Sequence, residues 1–304
     1  LNSCTYSNLE IIVIDNASPD DSAQFIKSNF PEVILVKSEY NRGFAGGCNF
    51  GVQHARGEYI LILNNDTIHE PDWIYRLVKM MESNPNISAV QPKIKNYDNR
   101  DYFDYAGACG GFMDKYCFPF ARGRIFNTVE KDEGQYDEPC KIFWASGTAF
   151  LTRKNVFDEI GGFDEILFAH MEEIDYHWKS QMLGHEIWIE PASVIYHKGA
   201  LTLPVSSPQK TYLNYRNSMI LLLTNYTIST SLILFLPRII LECISFGKEL
   251  LTFKWGHAFS IIKSWVWIMG HCGILKQRRK FLKDKNIAAP ELIYQQSIVK
   301  KYFI

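Results

Sequence analysis

Three polar residues, Asn64, Asn65 and Asp66, directly follow the apolar run Tyr59–Leu63. The last four residues of that run are aliphatic, which favours a strand buried on both faces. In an open α/β sheet, ligands bind just beyond the carboxyl ends of the strands. Carboxylate and amide oxygens suit Mg²⁺ or Mn²⁺. The sequence therefore predicts either a metal site, with Asp66 as its anion and Asn64 on the same side, or an ordinary polar turn.

A second apolar run, residues 9–14, ends in the same way, at Asp15 and Asn16. Ser18, Pro19 and two acids come next. This order is typical of a helix N-cap, a first helical residue and an acidic first turn. We therefore predict a second strand that opens onto polar side chains before a helix.

Asn41 and Arg42 precede a segment, residues 43–51, that contains four glycines. Glycine lets the backbone approach a ligand closely, and we expect the segment to enter a helix that ends at Gly57. Amides at a helix start, together with the charge of Arg42, would favour a diphosphate. The spacing matches neither the dinucleotide nor the P-loop fingerprint, so simple turn chemistry is the alternative.

Glu172, Glu173 and Asp175 lie in a segment rich in apolar and aromatic residues. A helix would place Glu172 and Asp175 on one face and Glu173 on another. These acids are either a solvated helix start, stabilised by the helix dipole, or they include a general base poised in a cleft. His197 follows a predicted strand, as Asp66 does, and is a candidate metal ligand.

The elements that must position these residues alternate between short apolar runs and amphipathic segments, which indicates an α/β fold. Residues 71–84 are predicted to form an amphipathic helix, and residues 95–140 are polar, aromatic and Gly-rich with no readable period. Further strands are predicted at 33–36, 143–151, 186–190 and 193–196.

The composition is that of a folded protein whose charge is unevenly distributed. Of the 304 residues, 47% are apolar and 21% are charged, for a net charge of −1. Residues 205–304 carry 14 Lys or Arg and 4 Asp or Glu, a net of +10, which leaves −11 for residues 1–204. This asymmetry predicts a C-terminal region that meets an anionic surface. Seven cysteines without Cys-x-x-Cys spacing favour a reducing compartment and free, buried thiols.

We predict two parts, a catalytic domain over 1–204 and a helical, basic and aromatic region over 205–304. Residues 217–237 carry no charge and are long enough to span a membrane. Their polar residues and Pro237 favour helices that lie in the membrane interface instead. A helical appendage with a solvated basic face is the remaining alternative. In the interfacial arrangement, aromatic residues would meet lipid and cations would meet headgroups, and the residues concerned are Trp255, Trp265, Trp267, Lys248, Lys254, Lys263 and 277–280.

The order of these motifs resembles that of the family 2 glycosyltransferases of the GT-A fold, especially bacterial rhamnosyltransferase-like members. The resemblance implies an α/β fold with a mostly parallel sheet flanked by helices, followed by a helical, membrane-associated C-terminal region. In chain order, the matching segments are 12–18, 41–49, 63–67, 161–165, 172–175 and His197.

This resemblance implies the inverting transfer of a sugar from a nucleoside diphosphate to a hydroxyl of a lipid-linked or polysaccharide acceptor in cell-surface polysaccharide synthesis. Mg²⁺ or Mn²⁺ would neutralise the diphosphate leaving group, and a carboxylate would deprotonate the acceptor from the opposite face. The Gly-rich segment resembles that of rhamnosyl transferases, which suggests dTDP-rhamnose as the donor. The expected location is peripheral, on the inner face of the bacterial cytoplasmic membrane, with no nucleic-acid partner.

The resemblance also implies a role for each motif residue. Asp66, Asn64 and His197 would hold the metal. Glu173 would take the acceptor proton, with Glu172 and Asp175 as further catalytic candidates. We expect Trp144 and Asp164 to contact the acceptor. The residues expected to bind the nucleotide-sugar are Asp15, Asn16, Ser18, Asn41, Arg42, Gly43, Gly46, Gly47, Asn49 and Asn65.

Three departures from the family pattern keep other functions open. Asn64 stands in place of the first Asp of the usual metal-binding pair, and Glu173 in place of the usual Asp. The family's first strand has no counterpart, and residues 1–8 resemble the end of the helix that follows it, so we expect a fragment. One alternative is a catalytically inactive sugar-nucleotide-binding or scaffold module of a polysaccharide assembly complex. The other is a nucleotidyltransferase, which has no need of a basic, aromatic C-terminal region.

Overall fold

A computed structural model describes residues 4–199, 207–284 and 292–303 of the protein. The strands are β1 (Ile12–Asp15), β2 (Ile34–Lys37), β3 (Tyr59–Leu63), β4 (Thr67–His69), β5 (Ile87–Asn96), β6 (Gly111–Asp114), β7 (Pro119–Ala121), β8 (Arg124–Ile125), β9 (Thr128–Val129), β10 (Cys140–Ile142), β11 (Ala149–Arg153), β12 (Glu186–His197) and β13 (Ile293–Tyr294). The helices are α1 (Ser22–Asn29), α2 (Gly43–Val52), α3 (Trp73–Ser83), α4 (Lys154–Ile160), α5 (Glu172–Met182), α6 (Pro208–Thr224), α7 (Ile228–Leu251), α8 (Trp255–Gly270), α9 (Cys272–Arg278), α10 (Lys280–Asp284) and α11 (Ile298–Phe303).

The described strands form three sheets. β1 and β2 pair in parallel as a two-stranded sheet. The largest sheet has the order β10-β12-β5-β11-β3, with β4 beside β12. In that sheet β5 and β12 are parallel, whereas the other pairs are antiparallel. The α/β class is therefore confirmed, but the sheet expected to be mostly parallel is mixed.

Helices cover both faces of the large sheet and form its two cores. On one face, α3 buries its apolar stripe against β5 and β12, as its periodicity predicts. The buried residues of that stripe are Trp73, Ile74, Leu77, Val78 and Met81. On the other face, α2, α4 and α5 pack around a cluster of rings that includes Phe150, Phe163 and Tyr176. The carboxyl end of β3 and the start of α5 are thereby held on one rigid scaffold.

Several element boundaries differ from those predicted. β12 is one strand from Glu186 to His197, and its ladder shifts register between Glu190 and Val194 instead of ending there. Pro191 lies at this shift, and a bulge accommodates the missing N–H of a proline. β11 begins only at Ala149. β3 is an edge strand that pairs with β11 alone, and its residues alternate between half-buried and buried instead of being buried on both faces.

Two predicted helix positions are also wrong. α1 begins at Ser22 with Asp21 at its N-cap, because the backbone N–H of Ser18 binds the Asp15 carboxylate in a turn. Of residues 1–8, predicted to end a helix, the described residues 4–8 form none.

Residues 95–140, whose sequence shows no clear periodicity, include the short strands β6 to β9, which belong to a five-stranded sheet. Strands of two to four residues are too short to show alternation in a sequence. β13, from the C-terminal region, pairs in parallel with β6 and completes this sheet. The expected boundary between residues 204 and 205 lies outside the described residues.

The uncharged stretch 217–237 is not one helix. α6 ends at Thr224 and is largely buried, and α7 begins at Ile228. Among the described residues, α7 is long and apolar enough to cross a membrane, with a mean hydropathy of 1.7. Helix Trp255–Gly270 and the segment Cys272–Leu282 meet the same test only as a pair bent by 73°.

Part of the predicted membrane-facing set points inward. The side chain of Arg278 lies against α5, and Arg279 donates to the carbonyl oxygens of Leu223 and Tyr226. Trp265 and Trp267 are half-buried, whereas Trp255 is exposed. The 277–280 cluster therefore does not present all its cations outward, because two of its arginines satisfy buried acceptors.

All seven cysteines are free, as predicted. They are not uniformly buried: Cys109 and Cys117 are buried, whereas Cys243 and Cys272 are exposed.

Candidate active site

Asp66 and His197 come together because β4 pairs with the end of β12. Thr67, the first residue of β4, lies opposite His197 in this antiparallel ladder. His197 Nε2 lies 3.2 Å from Asp66 Oδ1, and Lys198 N donates to Asp66 O at 3.0 Å. Asn64 is half-buried nearby in the chain, and its backbone N–H donates to Thr148 O at 2.9 Å. Two of the candidate metal ligands therefore share one place.

A second carboxylate, Asp104, orients His197 and was missed from the sequence. Its Oδ1 lies 2.8 Å from His197 Nδ1, and both side chains are buried. Although burial opposes a charge here, hydrogen bonds to Asp104 and Asp66 raise the pKa of His197 to about 9. Asp104 lies in the stretch without readable periodicity, so the only signal was the general need of a ligating histidine for a carboxylate behind it.

The candidate metal ligands are too few to fill the coordination shell of an ion, so a bound substrate would have to supply further ligands. No group of three His, Cys, Asp or Glu side chains surrounds a common point in the described parts of the chain. One carboxylate and one imidazole, with Asn64 beside them, fit Mg²⁺ or Mn²⁺ if water and phosphate oxygens supply the remaining ligands. Asp66 Oδ1 is buried and faces His197 Nε2 at 3.2 Å, so it is the carboxylate oxygen best placed to join such a site.

Glu172 and Glu173 begin α5 and are withdrawn from solvent. Glu172 is 4% exposed and Glu173 is half-buried, and the Oε2 atom of each lacks a hydrogen-bond partner among the described residues. Burial raises the pKa of both carboxyl groups, and the charge of Glu173 raises that of Glu172 further. A solvated helix start is therefore the wrong interpretation. The pair has the environment of a proton-transfer group.

The loop before α5 is strained and is held by α6. Phe168, His170 and Met171 adopt positive φ angles of 63°, 67° and 74°, which are unfavourable for residues with a Cβ. Asn217 Nδ2 lies 2.9, 3.0 and 2.6 Å from the carbonyl oxygens of Leu167, Ala169 and His170. We call this contact the Asn217 clamp. It fixes the start of α5 from the C-terminal region.

Arg216 adds a second attachment next to the clamp. Its Nη2 donates to the carbonyl oxygens of Ile166 and Leu167 at 2.8 and 3.0 Å. From the sequence, Asn217 was only the start of an uncharged stretch. A buried Asn and Arg beside apolar residues must find polar partners, and this was the available signal.

Asp175 and Asp164 form ion pairs within the protein, and their predicted catalytic and acceptor-binding roles stay predictions. Asp175 is 1% exposed and pairs with Lys179 at 2.7 Å and with Arg278 at 2.8 Å. Burial opposes ionisation, yet these two cations lower the pKa of Asp175 to about 2. Arg278 also pairs with Asp164, which caps the short 3-10 helix Glu165–Leu167. Both carboxylates are therefore already engaged.

Trp144 and Asn49 are likewise engaged within the protein. Trp144 is buried, and its Nε1 donates to Phe112 O at 2.8 Å, so it is not placed to contact an acceptor. Asn49 donates from Nδ2 to Phe163 O at 2.8 Å and accepts from Phe163 N at 2.9 Å. Asn49 thereby joins α2 to the loop before α5 instead of presenting its amide to a nucleotide.

The expected nucleotide-binding residues at the end of β1 and the start of α2 do meet. Asn16 donates from Nδ2 to Gly43 O at 2.9 Å and accepts from Arg42 N at 3.0 Å. Asn41 Oδ1 accepts from Gly43 N at 2.8 Å. Asp15 accepts from Ser18 N at 2.9 Å, while Ser18 itself is exposed, as is Asn65 at the end of β3. The amide of Asn16 therefore fixes this corner of the fold.

The glycines of residues 43–51 lie in helix α2 itself, which ends at Val52 and not at Gly57. Gly43 has a φ of +70°, and a Cβ there would lie 2.4 Å from Phe168 O. A Cβ on Gly47 would lie 3.2 Å from Asn16 Nδ2, and one on Gly46 would lie 3.4 Å from the Glu165 carboxylate. These glycines allow close packing of the protein against itself, so the segment is helix and not loop, and diphosphate binding at its start stays a prediction.

The guanidinium of Arg42 is also engaged within the protein. It lies 4.6 Å from the ring centres of both Tyr40 and Phe50, and its Nε donates to Ser38 Oγ at 2.9 Å. Stacking of this kind fixes a guanidinium in place. Arg42 therefore supports the loop between β2 and α2.

The fold, in which Asp15, Asp66 and His197 lie at strand ends and two buried acids begin α5, defines the GT-A class of glycosyltransferases. The family model described as "Glycosyl transferase family 2" matches residues 1–161. The chain belongs to this family, as the resemblance predicted.

Two curated relatives come from cell-surface polysaccharide synthesis. The N-acetylglucosaminyl-diphospho-decaprenol L-rhamnosyltransferase of Mycobacterium tuberculosis is 24% identical over 217 residues, which cover 66% of this chain and 71% of the relative. The poly-beta-1,6-N-acetyl-D-glucosamine synthase of Staphylococcus epidermidis is 27% identical over 201 residues. That match covers 63% of this chain and only 43% of the synthase, so the chain spans less than half of that relative.

Solved structures show the same fold. GalNAc-T7 with UDP, GalNAc and Mn²⁺ has a TM-score of 0.54 at 19% identity, covering 69% of this chain and 41% of that protein. The mannosyltransferase PcManGT of Pyrobaculum calidifontis, in complex with GDP-Man and Mn²⁺, has a TM-score of 0.50 at 15% identity, covering 87% and 79%. At these identities the likeness shows the fold alone.

Proposed function

We propose that the protein is an inverting, metal-dependent glycosyltransferase that moves a sugar from a nucleoside diphosphate to a hydroxyl of a lipid-linked or polysaccharide acceptor. The observation that carries this proposal is the meeting of Asp66 and His197, from separate strand ends, with Asp104 behind the imidazole. A histidine oriented by a carboxylate is the usual arrangement of a metal-ligating imidazole.

Each group has a defined task in the proposed reaction. A bound Mg²⁺ or Mn²⁺ would neutralise charge that builds up on the departing diphosphate. Asp66 and His197 would hold that ion once His197 Nε2 has lost its proton, and Asp104, which accepts from His197 Nδ1, would orient the ring. Glu173 would remove the proton from the acceptor hydroxyl as the hydroxyl oxygen attacks the anomeric carbon. One displacement from the opposite face inverts the configuration.

We infer that the donor is dTDP-rhamnose and that the acceptor carries a lipid diphosphate. The support is the name of the mycobacterial relative, a rhamnosyltransferase that acts on a diphospho-decaprenol, at 24% identity. A screen of nucleoside diphosphate sugars against the purified protein, with released nucleoside diphosphate as the signal, tests the activity. We expect release from one donor in the presence of Mn²⁺ and none with EDTA. Binding of donors without release from any of them would favour the catalytically inactive module.

Asp104→Asn should weaken metal binding without abolishing it. The amide no longer accepts strongly from His197 Nδ1, and loss of such a partner lowers metal affinity about 10- to 100-fold. Titration of Mn²⁺, followed by its electron paramagnetic resonance signal, measures the change. Asp101→Asn, an exposed acid in the same segment, is the matched control. An unchanged affinity in Asp104→Asn would remove the support for this metal site.

We further propose that α7 and α8 attach the protein to the membrane surface. The polarity of α7 is the reverse of that in a water-soluble helix, because its buried residues are Ser231, Arg238 and Glu242. Its outward face is a row of exposed aliphatic side chains that α8 extends. Such a large apolar surface marks a membrane or protein contact. The exposed residues are Ile228, Leu232, Ile233, Leu236, Ile240, Ile244, Phe259, Val266 and Met269.

The protein should float with vesicles of phosphatidylglycerol and phosphatidylethanolamine in a density gradient. Ile233→Asp should reduce the bound fraction, because a charge on this face must leave the apolar layer. Phe25→Asp, on the exposed surface of α1, should float as the wild type does. Recovery of the wild-type protein at the bottom of the gradient would contradict attachment.

A further inference from the structure

Two cations lie beside the candidate metal pair and have no role in the mechanism above. Arg124, in β8, holds its guanidinium 4.7 Å from the centre of the Tyr105 ring. Lys210, in the first turn of α6, holds Nζ 5.5 Å from the centre of the same ring. Tyr105 directly follows Asp104, the carboxylate bonded to His197. Both cations therefore lie against the ring of Tyr105, at the edge of the candidate active site.

Both cations are at least half-buried, and neither forms an ion pair with a carboxylate among the described residues. Arg124 is 8% exposed, and its Nε has no hydrogen-bond partner among the described residues. Asp104, whose charge acts on Arg124, is already bonded to His197. Within the described ranges, neither Arg124 nor Lys210 forms an ion pair. Burial of an unpaired cation is costly, so this arrangement calls for an anion.

The two charges also act on each other and on His170. Burial lowers the pKa of Arg124 and of Lys210, and the charge of Arg124 lowers that of Lys210 further. Burial and the charge of Lys210 lower the pKa of His170 to about 4, so its imidazole is neutral near pH 7. His170 Nε2 is buried and unbonded among the described residues. The group therefore extends from Asp104 to the loop that precedes Glu173.

We propose that Arg124, Lys210 and His170 form a diphosphate-binding site between the candidate metal pair and the start of α5. A guanidinium offers paired donors to phosphate oxygens, Lys210 adds a point charge, and a neutral imidazole adds one hydrogen bond. The inference rests on the proposed function, in which the sugar donor and a lipid-linked acceptor both carry a diphosphate. The chemistry of recognition is common to the two sources.

Binding of inorganic pyrophosphate to the whole purified chain in EDTA, measured by isothermal titration calorimetry, tests the site without metal or turnover. We expect Lys210→Gln and Arg124→Gln to weaken the affinity about tenfold or more, since each removes charged hydrogen bonds. The matched control is Arg122→Gln, in the turn between β7 and β8. Arg122 lies 5.2 Å from the Tyr136 ring centre and donates to Cys109 O, and its variant should bind as the wild type does.

Two further titrations identify the source of the diphosphate. If Lys210→Gln weakens farnesyl diphosphate and spares dTDP with Mn²⁺, the site serves the acceptor, and the reverse result assigns it to the donor. Wild-type protein that fails to bind pyrophosphate, or variants that bind it equally well, would overturn the proposal. Lys210 is half-buried, so its variant decides the matter if circular dichroism shows that Arg124→Gln does not fold. A failed donor screen leaves these binding results unaffected, so the two proposals fail separately.

Discussion

Glu173→Gln should reduce turnover by about 10²- to 10⁴-fold, which is the usual contribution of a general base. The amide keeps the size of the carboxyl group but cannot accept a proton from the acceptor hydroxyl. In the proposed arrangement the donor binds at the strand ends and not at α5, so its affinity should not change. Measurement of kcat for released nucleoside diphosphate, beside the dissociation constant of the donor, separates the two effects.

The pH profile gives this prediction a second signature. Burial raises the pKa of Glu173 to about 7, and a base works only when it is ionised. Wild-type kcat should therefore rise with pH through that value and level off above it. Burial and the charge of Glu173 raise the pKa of Glu172 well above its usual value, which favours the protonated carboxyl group, so Glu172→Gln should retain most of the turnover. Equal losses in the two variants would contradict the choice of Glu173 as the base.

Asn217→Ala should reduce kcat by about a hundredfold, although Asn217 lies on α6, outside the α5 segment that carries Glu173. The variant loses the clamp on three carbonyl oxygens, so the residues with positive φ angles before α5 relax and move Glu173. A displacement of about 1 Å is enough for a loss of this size. Ala45 N, at the start of α2, donates to Phe168 O in the loop that relaxes, so donor affinity should fall as well, but by less than kcat. Kinetics at saturating donor measure the effect.

Asn225→Ala controls for loss of stability. Asn225 is also a buried asparagine at the end of α6, but it donates to Asp175 and not to the loop before α5. Removal of either asparagine deletes buried hydrogen bonds and should lower the free energy of unfolding by about 1–3 kcal/mol. If the clamp positions Glu173, only Asn217→Ala loses turnover at a temperature where both variants are folded. Parallel losses of activity and melting temperature in both would show that Asn217 is merely structural.

Local signals in the sequence were enough to predict the strand ends and the α3 stripe. β3 and α3 have apolar patterns that depend only on near neighbours in the chain, and both elements form where the pattern places them. The GT-A fold and the family followed from the order of the motifs. The meeting of Asp66 with His197 was expected from the way both follow strands, and β4 supplies the pairing that joins them.

What the sequence did not reveal depends on contacts between distant segments. The conformational freedom of the glycines in 43–51 suggested a ligand loop, but their neighbours Phe168, Asn16 and Glu165 come from elsewhere in the chain and fill that space. The sequence suggested Asp175 as a catalytic acid, but in the structure Asp175 forms an ion pair with Arg278 of α9. No local pattern reports such a partner. For the same reason Asp104 and Asn217 were missed.

The Asn217 clamp and the Arg278 ion pairs have a consequence for how the molecule can be divided. Both cross from residues 207–284 into the segment that begins α5. A chain shortened after β12 would therefore leave the buried Asp175 with Lys179 but without Arg278, and would free the backbone before Glu173. The family match ends at residue 161, before either contact. A protein trimmed to the matched region should therefore be a poor substitute in biochemical work. Inhibitors selected against it would bind a site whose conformation differs from that in the longer chain.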